Sequence, residues 1–396
     1  MSPVTVTLLV DAISYPLTGI GRYAWELVQA VEAARADTAQ PLVANYLSYL
    51  GAHDFPELAA RATPHAVRTV PPLQGRMIQD WIARAKTFLI DFRLVSAAYR
   101  LRQDAAYGKH LARASPRVVH GLNFKLPKRL PAACRGVVTI HDLSAFIEPD
   151  WHPRQRVERL RQIVPEAIGQ ADCVIAISQS TAREVTQWFP QAADRVRVIP
   201  LGVSEAFFTP MRPGAVRTGA LCVSTIEPRK NILALLAAYE RLPAALRAAH
   251  PLTLVGAYGW QSQREHEAID RAKRAGWLRF LGYVPEPKLI ELLASARVVV
   301  YPSLYEGFGL PVLEAMAAGT PVIAGRHSSI IEVAGDHATL VSEVRDADAL
   351  ANAIEGELAA PWREDLARAR IEHARGFGWA RTTAETLSLY RQLGAW

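Results

Sequence analysis

Residues 297–325, RVVVYPSLYEGFGLPVLEAMAAGTPVIAG, constrain the fold more than any other stretch of the chain. Arg297 to Tyr301 is a β-branched, apolar run of strand length, the composition of a sheet covered on both faces, and Pro302 ends it. The loop from Glu306 through Gly307 and Phe308 to Gly309 follows. Pro311 then takes the first position of a helix, where proline is tolerated best, and Gly319 lies just past the helix end. Thr320 to Ala324 reads as the next strand. A glycine loop feeding a helix in this way aims free backbone N–H groups, and the positive end of the helix dipole, at whatever lies above it. An anion such as a phosphate belongs there.

Two carboxylates frame the loop. Glu306 precedes it, and Glu314, with seven residues between, is expected in the first turn of the helix. Both are expected to face one cleft. A carboxylate so close to a helix N-terminus is expected to stay ionised and to accept hydrogen bonds, for which the vicinal hydroxyls of a sugar or ribose are natural donors. The whole run EGFGLPVLEAMAAGTPVIA, with this pair of glutamates, closely resembles the retaining glycosyltransferases of family 4, which have the GT-B fold. The resemblance implies that Glu306 contacts hydroxyls of the transferred sugar. It also implies that Phe308, Gly309 and Leu310 lie against donor phosphate and sugar, and that Glu314 holds the nucleotide ribose. The alternative, a capped helix with Glu314 as a dipole partner, accounts for the spacing but not for the full match.

The chain has 396 residues, half of them apolar, which is enough for two domains with full cores. No stretch approaches the 18 or more uncharged apolar residues of a membrane-spanning helix. Val4 to Val10 reads as a strand almost from the start, without a signal-peptide pattern, so a cytoplasmic location is expected. Cys134, Cys173 and Cys222 lie in or beside apolar runs at spacings that suit no zinc site, and are expected to be buried free thiols. The net charge of +7 suits an anionic partner. Between Arg76 and Arg135 there are 13 basic residues against Asp80, Asp91 and Asp104. Trp81, Phe88, Phe92 and Tyr99 are interleaved there, so the segment is either a basic amphipathic helix lying on an anionic membrane or a core helix with a solvated basic face. Motifs for nucleic-acid binding are lacking, and no nucleic-acid partner is expected.

In the first half, Gly19 to Ala24 formally matches the dinucleotide pattern G-x-G-x-x-G/A, but about eight residues separate the first glycine from the strand, where the fingerprint needs a tight turn at once. By resemblance Gly21 lies near the acceptor and the donor diphosphate; a plain helix-start glycine is the other reading. Leu42–Leu50 reads as a second strand, and a third short strand is expected within Arg61–Pro71. Val137 to Ile140 is a strand ending in His141 and Asp142, at the carboxyl edge where doubly wound sheets place ligands. By resemblance His141 faces the cleft and contacts the donor sugar; a satisfied structural histidine is the alternative. Ser178 reads as the cap of a helix from Thr181 to Trp188, with Glu184 completing a capping arrangement.

Residues 204–219 carry Pro210, Pro213 and Gly214 and read as a linker between an acceptor-side domain, 1–203, and a nucleotide-sugar domain, 220–377. In the second domain, Arg229 and Lys230 sit on a strand-to-helix loop, where a planar fork and a point charge can neutralise a diphosphate. The segment EPRKN resembles the family's phosphate-binding loop. After Gly282, Tyr283 and Val284 are expected by resemblance to meet the nucleotide base. The last helix, within 378–396, is expected to cross back onto the first domain.

The expectation is an α/β protein of GT-B type, two doubly wound Rossmann-like domains facing a central cleft. Its reaction would move a hexose from a nucleotide sugar to a hydroxyl of a glycan or lipid-linked acceptor, with retention resting on the resemblance alone. His141, Glu306, Arg229 and Lys230 would carry the chemistry without a cofactor or metal, since no D-x-D site is apparent at a strand end. The IEPRKN and HDLSAF stretches look most like bacterial polysaccharide mannosyl- and rhamnosyltransferases, which points first to GDP-mannose and next to UDP- or dTDP-hexoses. A nucleotide-sugar epimerase of the same fold, a nicotinamide oxidoreductase and a silent sugar-nucleotide-binding subunit are the rival classes.

Overall fold

The computed structural model describes residues 4–14, 17, 19–35, 42–48, 51–63, 93–208 and 217–394, with side chains of the 93–208 stretch from residue 104 onward. Two sheets divide these residues. The first has the order β3-β2-β1-β4-β5-β6-β7. Its strands are β1 (Val4–Leu9), β2 (Leu42–Ser48), β3 (Gly51–His53), β4 (Val118–Gly121), β5 (Arg135–Ile140), β6 (Cys173–Ala176) and β7 (Val196–Val198). All pairs are parallel except β2 with β3. The second, wholly parallel sheet runs β10-β9-β8-β11-β12-β13. It comprises β8 (Thr218–Val223), β9 (Leu252–Val255), β10 (Leu278–Phe280), β11 (Ala296–Tyr301), β12 (Val322–Gly325) and β13 (Thr339–Val341).

Each order reverses direction next to its first strand, between β1 and β4 and between β8 and β11, and at such switch points the loops after neighbouring strands diverge and leave a crevice. The apolar runs explain the strands: Val298, Val299 and Val300 are fully buried because helices cover both faces. The three cysteines are buried and free. Among the described residues no helix is long and apolar enough to cross a membrane.

Some sequence expectations change here. The third strand is Gly51–His53, not a segment of Arg61–Pro71; Phe55–Ala62 is a helix whose cap, Asp54, accepts a 2.8 Å bond from Glu57 N–H. A three-residue edge strand is too short to show a period of two. The helix expected from Tyr23 begins at Gly19, so Gly21 lies inside its first turn. Of the basic segment, Arg93–Ala114 is a helix, while Trp81, Phe88 and Phe92 lie outside the described residues. Half of the linker, residues 209–216, lies outside them too.

The closing helix Trp379–Gly394 packs on the first sheet and on the helix Gly19–Ala34. Its fully buried Tyr390 hydroxyl meets His120 Nδ1 at 2.5 Å, and His120 Nε2 meets the Thr139 hydroxyl at 2.8 Å. Burial, helped by nearby His141, pushes the His120 ring down to about 3, so it is neutral and each ring nitrogen needs a neutral partner. Tyr390→Phe leaves one of them bare, and an expected loss of about 1–3 kcal/mol in unfolding free energy should show in urea titration.

Candidate active site

The loops leaving β8 and β11, neighbours at the switch point, build one charged cluster. Pro228–Lys230 forms a single 3-10 turn, and Asn231, at φ 56°, turns the chain into the helix Ile232–Arg241. The Asn231 amide donates to the Pro302 and Val344 carbonyls at 3.2 and 2.9 Å, and Leu304 N–H donates to the Arg229 carbonyl at 2.8 Å, which locks the two loops together. Ser329 pins the second loop by donating to the Glu306 and Phe308 carbonyls at 2.8 and 2.9 Å.

Inside this frame Glu306 is clamped. Lys230 Nζ lies 2.5 Å from its Oε1, the Tyr301 hydroxyl donates to the same oxygen at 2.8 Å, and Arg229 Nη1 reaches Oε2 at 2.9 Å. Arg229 Nε also donates to Glu227 at 2.7 Å. Burial alone would raise the Glu306 carboxyl, but Lys230 and Arg229 outweigh it and hold the group far below the usual carboxylate range. Burial would likewise lower the Arg229 guanidinium; Glu306, Asp142 and Glu227 reverse that and keep it charged. Donor capacity remains. Arg229 Nη2 and one Lys230 proton have no partner among the described residues, while Glu306 faces Lys230, Tyr301, Arg229 and the Ser303 hydroxyl.

The first domain closes on this cluster. His141 follows β5, and its Nε2–H donates to the Leu122 carbonyl at 2.8 Å, with Tyr23 and Phe124 edge-on at 5.3 and 5.5 Å. Burial holds the ring below its ordinary value and so neutral. Asp142 accepts from Ser144 N–H and Oγ at 3.0 and 2.6 Å; burial would raise its carboxyl, but Arg229 across the cleft keeps it low. Tyr305 bridges the domains, accepting from Leu143 N–H at 3.2 Å and donating to Glu184 at 2.5 Å. Glu184 is thus not a helix cap. Ser178 alone caps the helix, which spans Gln179–Trp188, by accepting from Thr181 N–H at 3.0 Å.

A second group assembles beside the first. Arg22, next to Gly21, pairs with Glu286, two residues beyond Val284, and also acts on Glu314. The helix after the glycine loop starts at Leu310 rather than Pro311, which puts Glu314 in its second turn. There the dipole no longer offsets burial, so the carboxyl rises to about 7 despite Arg22; the expectation of a permanently ionised Glu314 is corrected. Phe308 is 3% exposed with its ring edge-on to Phe377, so only its main chain is available to a ligand. Gly309, at φ 109°, caps the helix, and Leu310 approaches Gly19 of the first domain. Tyr283 is exposed on the loop after β10. Among the described residues no three His, Cys, Asp or Glu side chains converge as a metal-ligand set.

Sequence reasoning had no hold on Tyr301, Glu227, Tyr305, Arg22 and Glu286 as site residues. Tyr301 reads as one more apolar strand residue, and Arg22 and Glu286 are 264 positions apart. Only the place of Tyr301 as the last residue of its strand could have marked it.

The profile described as "Glycosyl transferases group 1" matches residues 217–376, and the profile "Glycosyltransferase Family 4" matches residues 17–207. The chain is similar to O-antigen chain mannosyltransferase B of Escherichia coli, 35% identical over 395 residues that cover 97% of this chain and 98% of that protein. Among solved structures it is similar to sucrose-phosphate synthase from Thermosynechococcus elongatus, with TM-score 0.75, 23% identity and 100% of both chains covered. It is also similar to WaaG, a glycosyltransferase involved in lipopolysaccharide biosynthesis, with TM-score 0.66, 15% identity and coverage of 98% and 99%. The chain belongs to glycosyltransferase family 4 and has the GT-B fold.

Proposed function

We propose that this glycosyltransferase moves mannose from GDP-mannose to a hydroxyl of a glycan or lipid-linked acceptor in surface-polysaccharide synthesis, with retention at the anomeric carbon. The carrying observation is the Arg229, Lys230 and Glu306 cluster, set where the carboxyl ends of β8 and β11 meet the glycine loop. Kinship to an O-antigen mannosyltransferase over nearly its whole length supports the sugar. The bond from the anomeric carbon to the diphosphate oxygen breaks, the bond to the acceptor oxygen forms, and the acceptor proton passes to the departing phosphate on the same face. Arg229 Nη2, Lys230 and the Leu310 N–H at the helix start stabilise the charge that develops on the diphosphate, without a resident metal. Glu306 contacts a sugar hydroxyl, Glu314 holds the ribose, and His141 lies against the sugar.

A thermal-shift panel of GDP-mannose, UDP-glucose and dTDP-rhamnose, followed by mass spectrometry of an oligomannose acceptor, tests this. GDP-mannose at 100 times its dissociation constant should add about 2.7 kcal/mol. Stabilisation by a UDP or dTDP sugar alone would replace the donor. Conversion of donor without acceptor would favour an epimerase. The basic segment 76–135 is proposed as a peripheral contact with anionic membrane; equal partition with and without anionic vesicles at low salt would remove that contact.

The raised Glu314 carboxyl gives a second expectation. Hydroxyls donating to it favour the ionised form, so donor binding should release a proton below pH 7 and weaken by up to about tenfold per pH unit as the pH falls. Calorimetry in buffers of different ionisation enthalpy reads this, and Glu314→Gln should abolish it. Without donor the sign is opposite. The folded state binds the extra proton between 4.5 and about 7, so Glu314 stabilises the fold at low pH and that contribution is lost as the pH rises through about 7.

A further inference from the structure

A cavity of about 400 Å³ lies at the amino ends of β11, β12 and β13, the edge of the second sheet opposite the cleft. That volume is within the roughly 300–1,000 Å³ of small-molecule pockets. Arg297, Arg370, Trp362, Asp336 and Glu357 line it. Arg217 stacks on the Trp362 ring, its guanidinium 4.6 Å from the centroid.

The three guanidiniums are unusual in their partners. Arg217 donates to the Ala318 carbonyl at 2.9 Å and the Thr320 hydroxyl at 2.6 Å, Arg297 to the Ala360 carbonyl, and Arg370 to the His337 carbonyl at 3.3 Å. Among the described residues none of the three makes an ion pair with a carboxylate. Burial, then the neighbouring Arg370 and Arg297, brings Arg217 down to about 10. Glu357 and Asp365 act on Arg370 from beyond ion-pair distance, so three half-buried guanidiniums stand beside the cavity with no carboxylate in direct contact; an anion there would relieve their mutual repulsion, and the planar forks of arginine suit phosphate. Trp362, 37% exposed, offers a flat apolar face, and Asp336 and Glu357 offer acceptors for hydroxyls.

We propose that this cavity is a second ligand site, separate from the donor cleft, that binds a sugar phosphate: phosphate on Arg297 and Arg370, sugar ring on Trp362, hydroxyls on Asp336 and Glu357. It does not depend on which nucleotide sugar the cleft takes. Isothermal titration of the full chain with mannose 1-phosphate, mannose and inorganic phosphate tests it. Mannose 1-phosphate should bind at least about tenfold more tightly than either fragment. Arg370→Ala and Trp362→Ala should each weaken it about tenfold or more, and Lys230→Ala, in the cleft, should leave it unchanged. Trp362 lies at the surface, so its variant reads the site even if Arg370→Ala unfolds the domain. Loss of binding in Lys230→Ala with retention in Trp362→Ala would assign the ligand to the donor cleft and overturn the proposal. Equal binding of inorganic phosphate, or no binding of the sugar phosphate at all, would overturn it too.

Discussion

Lys230→Ala should lower kcat about 10²–10³-fold while the chain stays folded, the range found when one preorganised donor to a developing negative charge is removed. Lys230 is 6% exposed and lies between Glu306 and Tyr301, so its position is fixed before any substrate arrives and costs no reorganisation during reaction. Removing one partner of a buried ion pair usually costs about 3–5 kcal/mol of stability. The loss here should be smaller, because Glu306 keeps Arg229 at 2.9 Å and the Tyr301 hydroxyl at 2.8 Å. The split between kcat and KM is informative. Charge on the leaving diphosphate grows along the reaction, so the loss should fall on kcat; a rise in KM alone would mean that Lys230 binds ground state and transition state equally. Glu306→Gln should act through the same cluster, since the amide cannot satisfy both cations and leaves Lys230 and Arg229 repelling each other. Activity within a few-fold of wild type in Lys230→Ala would remove this residue from the chemistry.

The skeleton of this site is legible in the sequence because its signals are local. The valine run of β11, the glycine at the helix cap and the Arg-Lys pair after β8 each declare themselves within ten residues, and the repeated strand–loop–helix order yields two parallel sheets. What stays hidden depends on distance or on competition between effects. Glu184 looks like part of a cap because Ser178 is near in sequence, but it bonds Tyr305 of the other domain, 121 residues away. The protonation of Glu314 turns on whether dipole or burial wins, and a shift of one residue in the helix start, from Pro311 to Leu310, moves the carboxylate out of the first turn. Phe308 is inside a motif that faces the cleft, yet its ring fills the core against Phe377. A motif fixes where the main chain goes; the direction of each side chain is settled by its neighbours in space.

Gly307→Ala should separate activity from stability most cleanly. A Cβ on Gly307 would stand 1.8 Å from the His141 carbonyl oxygen and 3.0 Å from Asp142 Cβ, both in the opposite domain. Its own backbone is not in the left-handed region, so alanine is conformationally acceptable there, and the three atoms nearest the added Cβ all belong to the other domain. Bringing that contact from 1.8 Å to the 3.0 Å that real Cβ atoms respect requires about 1.2 Å of retreat (3.0 − 1.8), which the domains can make by opening. The Thr181 hydroxyl bond to the Gly307 carbonyl, 3.3 Å, is lost with it. A misplacement near 1 Å at a reacting centre costs on the order of 10²-fold, and kcat should fall by at least that while the urea midpoint moves little. Gly309→Ala is the contrast. Gly309 has φ 109°, and its Cβ would meet Ile330 of its own domain at 2.5 Å, so that variant should lose stability as well as activity. If Gly307→Ala instead turns over at the wild-type rate, the approach of Gly307 to His141 is not part of the reacting conformation, and His141 must reach the sugar from a more open cleft.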